Sequence, residues 1–156
     1  MTVTLSQKET MLLQDLKSQE QLCIEKYGKY ATDASDANLR NLFTQLGQTE
    51  RQHFDTISQM IGGTVPTMGG GSSSQSAAAP GNQTQMSAGQ DKQKDRYLCS
   101  DALAMEKHVS SVYDTCIFEL RDVNMRNALN HIQKEEQEHG EKIYSYMAQN
   151  GMYNVQ

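Results

Sequence analysis

The chain has 156 residues, enough for one compact domain or two small halves. Its 14 Lys and Arg stand against 19 Asp and Glu, a net charge of −5, which argues against nucleic acid as the main partner because phosphate binding needs a basic face. No stretch approaches the ~20 apolar residues of a bilayer span, and the opening MTVTLSQKETMLLQDLKSQE lacks the charged and apolar regions of a secretory signal, so neither a membrane nor a signal peptide is expected.

Tryptophan is absent and both prolines, Pro66 and Pro80, fall in one stretch, so the remainder reads as mostly α-helix. The first predicted helix spans about 7–32 and stops in ATDASDAN (31–38), where Asp33, Ser35 and Asp36 supply turn and N-cap chemistry. A second follows over about 36–61. Next comes GGTVPTMGGGSSSQSAAAPGNQTQMSAG, which is rich in Gly and Ser and carries no charge. It cannot bury enough apolar surface to fold alone and is expected to be a flexible linker over 62–90. The third predicted helix covers about 92–118. ELRDVNM (119–125) breaks it, with Asp122 as cap of a fourth helix, about 122–149, and Asn150-Gly151 suits that helix's end. The expectation is one all-α, four-helix bundle made of helical hairpins 7–61 and 91–149. Three cysteines, Cys23, Cys99 and Cys116, with no Cys-x-x-Cys spacing, argue for buried free thiols rather than a disulfide framework.

The two hairpins are related. Shifting the sequence by 86 residues without a gap aligns Lys8 with Lys94, Leu12 with Leu98, Asp15 with Asp101, Glu20 with Glu106, and Tyr27 with Tyr113. It goes on to align Asp36 with Asp122, Arg40 with Arg126, Glu50 with Glu136, His53 with His139, and Ile57 with Ile143. A duplicated helical hairpin accounts for this.

Apolar residues at steps of three and four trace one stripe along each helix. The stripes run Leu13, Leu16, Glu20, Cys23, Tyr27, Tyr30 in the first and Leu39, Phe43, Leu46, Glu50, His53, Ile57 in the second. In the third and fourth they run Ala102, Glu106, Val109, Tyr113 and Leu129, Ile132, Glu136, His139, Ile143. Each is apolar at its ends and polar in the middle. A bundle packed on these stripes buries four glutamates and two histidines in one layer, which costs several kcal/mol per isolated carboxylate unless positive charge joins them. Two divalent cations would match four carboxylates. One Glu from each of two helices, with Glu-x-x-His from each of the other two, is the plan of di-iron and di-manganese bundles. Glu20, Glu50, His53, Glu106, Glu136 and His139 supply that set in chain order. Random placement of the 10 glutamates and 4 histidines yields only about a quarter of one Glu-x-x-His pair. Two pairs in register with a duplication are therefore informative.

Tyr27 and Tyr113 lie on the face of their helix's glutamate, two turns on, and are either hydrogen-bond donors to a carboxylate or plain core tyrosines. Glu135, Glu138 and Glu141 are expected to face solvent, Cys23 to pack, and His108 and His131 to be ordinary surface histidines. No residue is singled out as catalytic.

At these residues the chain resembles the ferritin-like superfamily, the rubrerythrin branch in particular: the Glu20-to-Tyr27 spacing and Thr-Glu-Arg-Gln-His around Glu50 look like that branch's ligand helices. The second half also resembles the coat F family of bacterial spore coat proteins, in Leu103–Lys107, Tyr113 and the closing Met147–Tyr153, with Met152 where that family commonly has Trp. The resemblance implies a ferritin-like up-down bundle with a long crossover between the second and third helices. It also implies two bound metal ions, iron ahead of manganese, and a spore coat or mother-cell cytoplasm location in an endospore former. Expected partners are other coat proteins or a second copy of the chain, including a dimer that swaps hairpins. Two functions follow from it: a coat-associated oxidase- or peroxidase-like metal protein, or a structural coat component whose metal only stabilises the bundle. No Cys-x-x-Cys pair follows the fourth helix, so the rubredoxin tail of full rubrerythrins is missing from this sequence.

Overall fold

The computed structural model of the chain describes residues 1–67 and 90–153. Four helices make it up: α1 (Gln7–Asp33), α2 (Ala37–Ile61), α3 (Gln90–Glu119) and α4 (Val123–Gln149). Local chemistry sets their ends. Ser6 and Glu9 form a reciprocal capping box at the start of α1. Asp36 accepts from the Asn38 N–H at the start of α2, and Asp122 from the Asn124 and Met125 N–H groups at the start of α4. Gly151, with φ 65°, turns the chain after α4.

Cross-helix bonds give the directions. Lys8 meets Glu119, Lys26 meets Asp101, and the Tyr30 hydroxyl donates to Asp101, so α1 and α3 are antiparallel. Tyr146 on α4 donates to Asp36 at the start of α2 over 2.7 Å, while His53 lies beside Glu136, so α2 and α4 are antiparallel as well. It follows that α2 and α3 run the same way. The end of α2 sits by the N-terminus, and α3 begins by the α1–α2 turn at the other end of the bundle. This is the ferritin-like arrangement, with its long crossover between α2 and α3. Most of the predicted linker, residues 68–89, lies outside the described residues. Its first residues depart from the expectation. Val3 N–H donates to Gly63 O over 2.8 Å and Val65 N–H to Met1 O over 3.3 Å, tying 63–65 to the N-terminus. Gly63 permits the turn: its φ is 78°, and a Cβ there would stand 2.5 Å from Val3 O.

The duplication is visible as a pseudo-twofold. Asp95 accepts from the Ser35 and Asp36 N–H groups over 2.8 and 2.9 Å, and Glu9, its counterpart, accepts from Arg121 N–H over 2.9 Å. Arg40 donates to the Ala34 and Ser35 carbonyls, and Arg126 to those of Leu120 and Arg121. Each hairpin turn is thus clamped by an acid from the other hairpin and an arginine from its own. Apolar layers lie above and below the middle of the bundle, with Leu13, Leu16, Phe43, Ile57, Met125, Leu129 and Ile143 fully buried.

Candidate metal centre

All four stripe phases deliver their polar residues to one layer. Glu20, Glu50, His53, Glu106, Glu136 and His139 are each at most 3% exposed. His53 Nδ1 lies 3.1 Å from Glu50 Oε2, 3.1 Å from Glu136 Oε1 and 3.8 Å from Glu20 Oε2. His139 Nδ1 lies 3.1 Å from Glu50 Oε1 and 3.5 Å from both Glu106 Oε1 and Glu136 Oε2. The two imidazoles stack with centroids 5.7 Å apart. Donor atoms of Glu20, Glu50, His53 and Glu136 converge within 4.8 Å of one another, as do those of Glu50, Glu106, Glu136 and His139. Glu50 and Glu136 belong to both groups. They would be shared by two ions, with Glu20 and His53 available to hold one and Glu106 and His139 the other.

Three buried carboxylate oxygens, Glu20 Oε2, Glu106 Oε2 and Glu136 Oε2, have no hydrogen-bond partner. Orphaned buried carboxylates are costly. A hard divalent cation satisfies them, and carboxylate with imidazole is a donor set suited to iron, manganese or zinc. The residues present therefore fit a pair of metal ions.

Burial and mutual charge act on all six groups. Burial, reinforced by the charges of Glu136 and Glu50, holds Glu20 well above the usual carboxylate range, and burial likewise raises Glu106. Burial acts on Glu50 and Glu136 in the same sense, but hydrogen bonds from His139 and His53 outweigh it and both are lowered. Burial opposes the charged imidazoles, yet Glu135, Glu136 and Glu50 raise His53, and Glu106, Glu136 and Glu50 raise His139 to about 11. Glu50 and Glu136 are thus held toward the carboxylate form and the two imidazoles toward the protonated form.

Tyr27 and Tyr113 are the hydrogen-bond donors that the stripe phase allowed, with an exchange of partners. Tyr27 donates to Glu106 and Tyr113 to Glu20, each reaching the glutamate of the opposite hairpin because α1 and α3 are antiparallel. Burial raises both phenols, and the nearby glutamates add to it, so both remain donors.

The expectation that Glu135 faces solvent is corrected. It lies 2.7 Å from His53 Nε2, the ring nitrogen turned away from the centre, and its other oxygen is 3.3 Å from the exposed His131. Position 135 is one residue off the stripe, and only the approach of α2 to α4 brings the two together. Glu138 and Glu141 are exposed as expected. Cys23, Cys99 and Cys116 are buried free thiols. The Glu9 and Asp95 clamps also escaped the stripe analysis, although their 86-residue spacing was a usable signal.

Fold and site together define a ferritin-like four-helix bundle with a buried carboxylate–histidine centre able to hold metal. More particularly, residues 94–156 match the Coat F domain family, in agreement with the resemblance read from the second half. Among solved structures the chain is similar to a two-domain protein of Anabaena variabilis with DJ-1/ThiJ/PfpI-like and ferritin-like domains. The TM-score is 0.69 over 95% of this chain at 16% identity, a likeness of fold, and this chain spans only 38% of that one. No curated protein is similar in sequence.

Proposed function

We propose that the protein is a spore coat-associated, ferritin-like metal protein whose centre holds two divalent ions, iron ahead of manganese, and reacts with O2 or peroxide. The supporting observation is the pair of overlapping donor groups that share Glu50 and Glu136 and leave three carboxylate oxygens unpartnered. The ions, when bound, would supply Lewis acidity and one-electron redox chemistry. The chain's own part is to fix the donors on four rigid helices, hold Glu20 and Glu106 through Tyr113 and Tyr27, and keep bulk water from a layer sealed above and below by apolar side chains. The Coat F match over the second hairpin supports location in the spore coat or mother-cell cytoplasm, with other coat proteins or a second copy of the chain as partners.

A second reading keeps the metal and drops the turnover. The centre joins all four helices, so two ions could serve only to tie the coat building block together. Elemental analysis of protein supplied with iron or manganese comes first: about two ions per chain are expected. The bridging double variant Glu50→Ala/Glu136→Ala should lose both, whereas Glu20→Ala should lose the ion at its own position. No metal in the wild type overturns both readings. With metal bound, consumption of O2 or peroxide separates the oxidoreductase from the structural component.

A further inference from the structure

The two metal positions differ in how they meet the surface. A groove of about 620 Å³ lies between α3 and α4, walled by Leu103, Tyr144 and Lys107, and it reaches Glu106 and Glu136. Both of those carboxylates carry a buried oxygen without a partner. Gly140 lies in the lining of this groove, and a Cβ placed on it would touch nothing nearer than Leu103 Cδ2 at 3.9 Å.

By the 86-residue register, Gly140 corresponds to Phe54 and Leu103 to Lys17. In the first hairpin those two residues meet: Lys17 Nζ stands 5.1 Å from the centroid of the Phe54 ring. A partly buried aromatic ring with a cation over it occupies the place that is groove in the second hairpin. Burial at the glutamates follows the same division, with the Glu20 side chain 0% exposed and that of Glu106 4%.

We propose that the α3–α4 groove is the access route by which a small exogenous oxygen- or nitrogen-donor molecule reaches the metal centre, at the position held by Glu106 and His139, while Phe54 shuts the twin route to the position of Glu20 and His53. The inference rests on the di-metal reading and deepens it. The apolar walls admit a small molecule without offering it strong competing hydrogen bonds. Lys107 on the groove wall is offset by Glu141 in the same lining, so the walls select the incoming donor by size rather than by charge. Exchange of outside ligands is thereby confined to one of two otherwise matched positions.

The test uses the full chain loaded with metal and azide as the probe. Metal content is measured first, on wild type, Gly140→Phe and Phe54→Gly, and azide association is then followed by stopped-flow absorbance. Gly140→Phe, which writes the first hairpin's residue into the second, should keep its metal and slow azide association at least roughly tenfold, since the probe must now wait for a local opening. Phe54→Gly, the reciprocal change, should keep its metal and accelerate association or add a second fast phase; it also keeps the test decisive if Gly140→Phe does not fold. Wild-type protein that binds no metal overturns the di-metal reading itself. Metal bound equally in all three, with azide rates unchanged, leaves that reading standing and overturns the groove.

Discussion

The two hairpins carry the same candidate donors, Glu and Glu-x-x-His, and differ in what stands behind them. His53 has Glu135 on its outer nitrogen, 2.7 Å away. For His139 the corresponding residue is Thr49, whose hydroxyl donates to the Gln45 carbonyl instead. Phe54 and Lys17 cover one position, while Gly140 and Leu103 leave the other at the foot of a groove. Tyr30 on α1 donates to Asp101, but the residue in its place on α3 is Cys116. Duplication of a hairpin thus explains a symmetric donor set. The neighbours one step outside that set make one half anchored and closed and the other half freer and open. Because Glu50 and Glu136 are shared, their loss should strike both positions, and changes in the surroundings should strike one.

The largest expected effect treats the halves alike. Loading two divalent ions must compete with protons at Glu20, Glu106, His53 and His139, whose pKa values are all raised. Protons should be released on loading, and metal binding should strengthen as pH rises and weaken as pH falls. An indicator-dye titration with zinc in weak buffer measures the release. No proton release, with affinity independent of pH, would show that these groups hold no protons for the metal to displace.

Next in size is Glu135→Ala, which removes the carboxylate that orients His53. Loss of such a partner typically costs about 10- to 100-fold in metal affinity. The loss should appear at one of two resolved steps in a cobalt titration, with the other step unchanged. Equal weakening of both steps would show that the positions act as one.

The smallest effects concern the turn clamps. Asp95→Asn should cost about 1–2 kcal/mol in a urea melt, by weakening charge-assisted bonds to the Ser35 and Asp36 N–H groups. Glu9 differs because its partner brings a full charge: the Arg121 guanidinium, ahead of the opposing effect of burial, holds its carboxyl down at about 2. A depressed carboxyl adds stability that is present above its unfolded value of 4.5 and disappears as pH falls through about 2. Glu9→Gln should therefore flatten the acid limb of the stability–pH curve between those values. An unchanged acid limb would place the effect elsewhere.

Periodicity, caps and repeat register are properties of short stretches of chain, and the sequence by itself determined what depends on them. That includes four helices with ends within about two residues of those observed, the duplication, and the six polar residues on apolar stripes. Local spacing was enough because a helix fixes which residues share a face. The tertiary structure alone decided how the faces meet. It exchanged the tyrosines across the pseudo-twofold, turned Glu135 from solvent onto His53 and tied 63–65 to the N-terminus. Each is a contact between segments far apart in sequence. It depends on interaxial direction and distance, which the 3.6-residue period of a single helix does not encode.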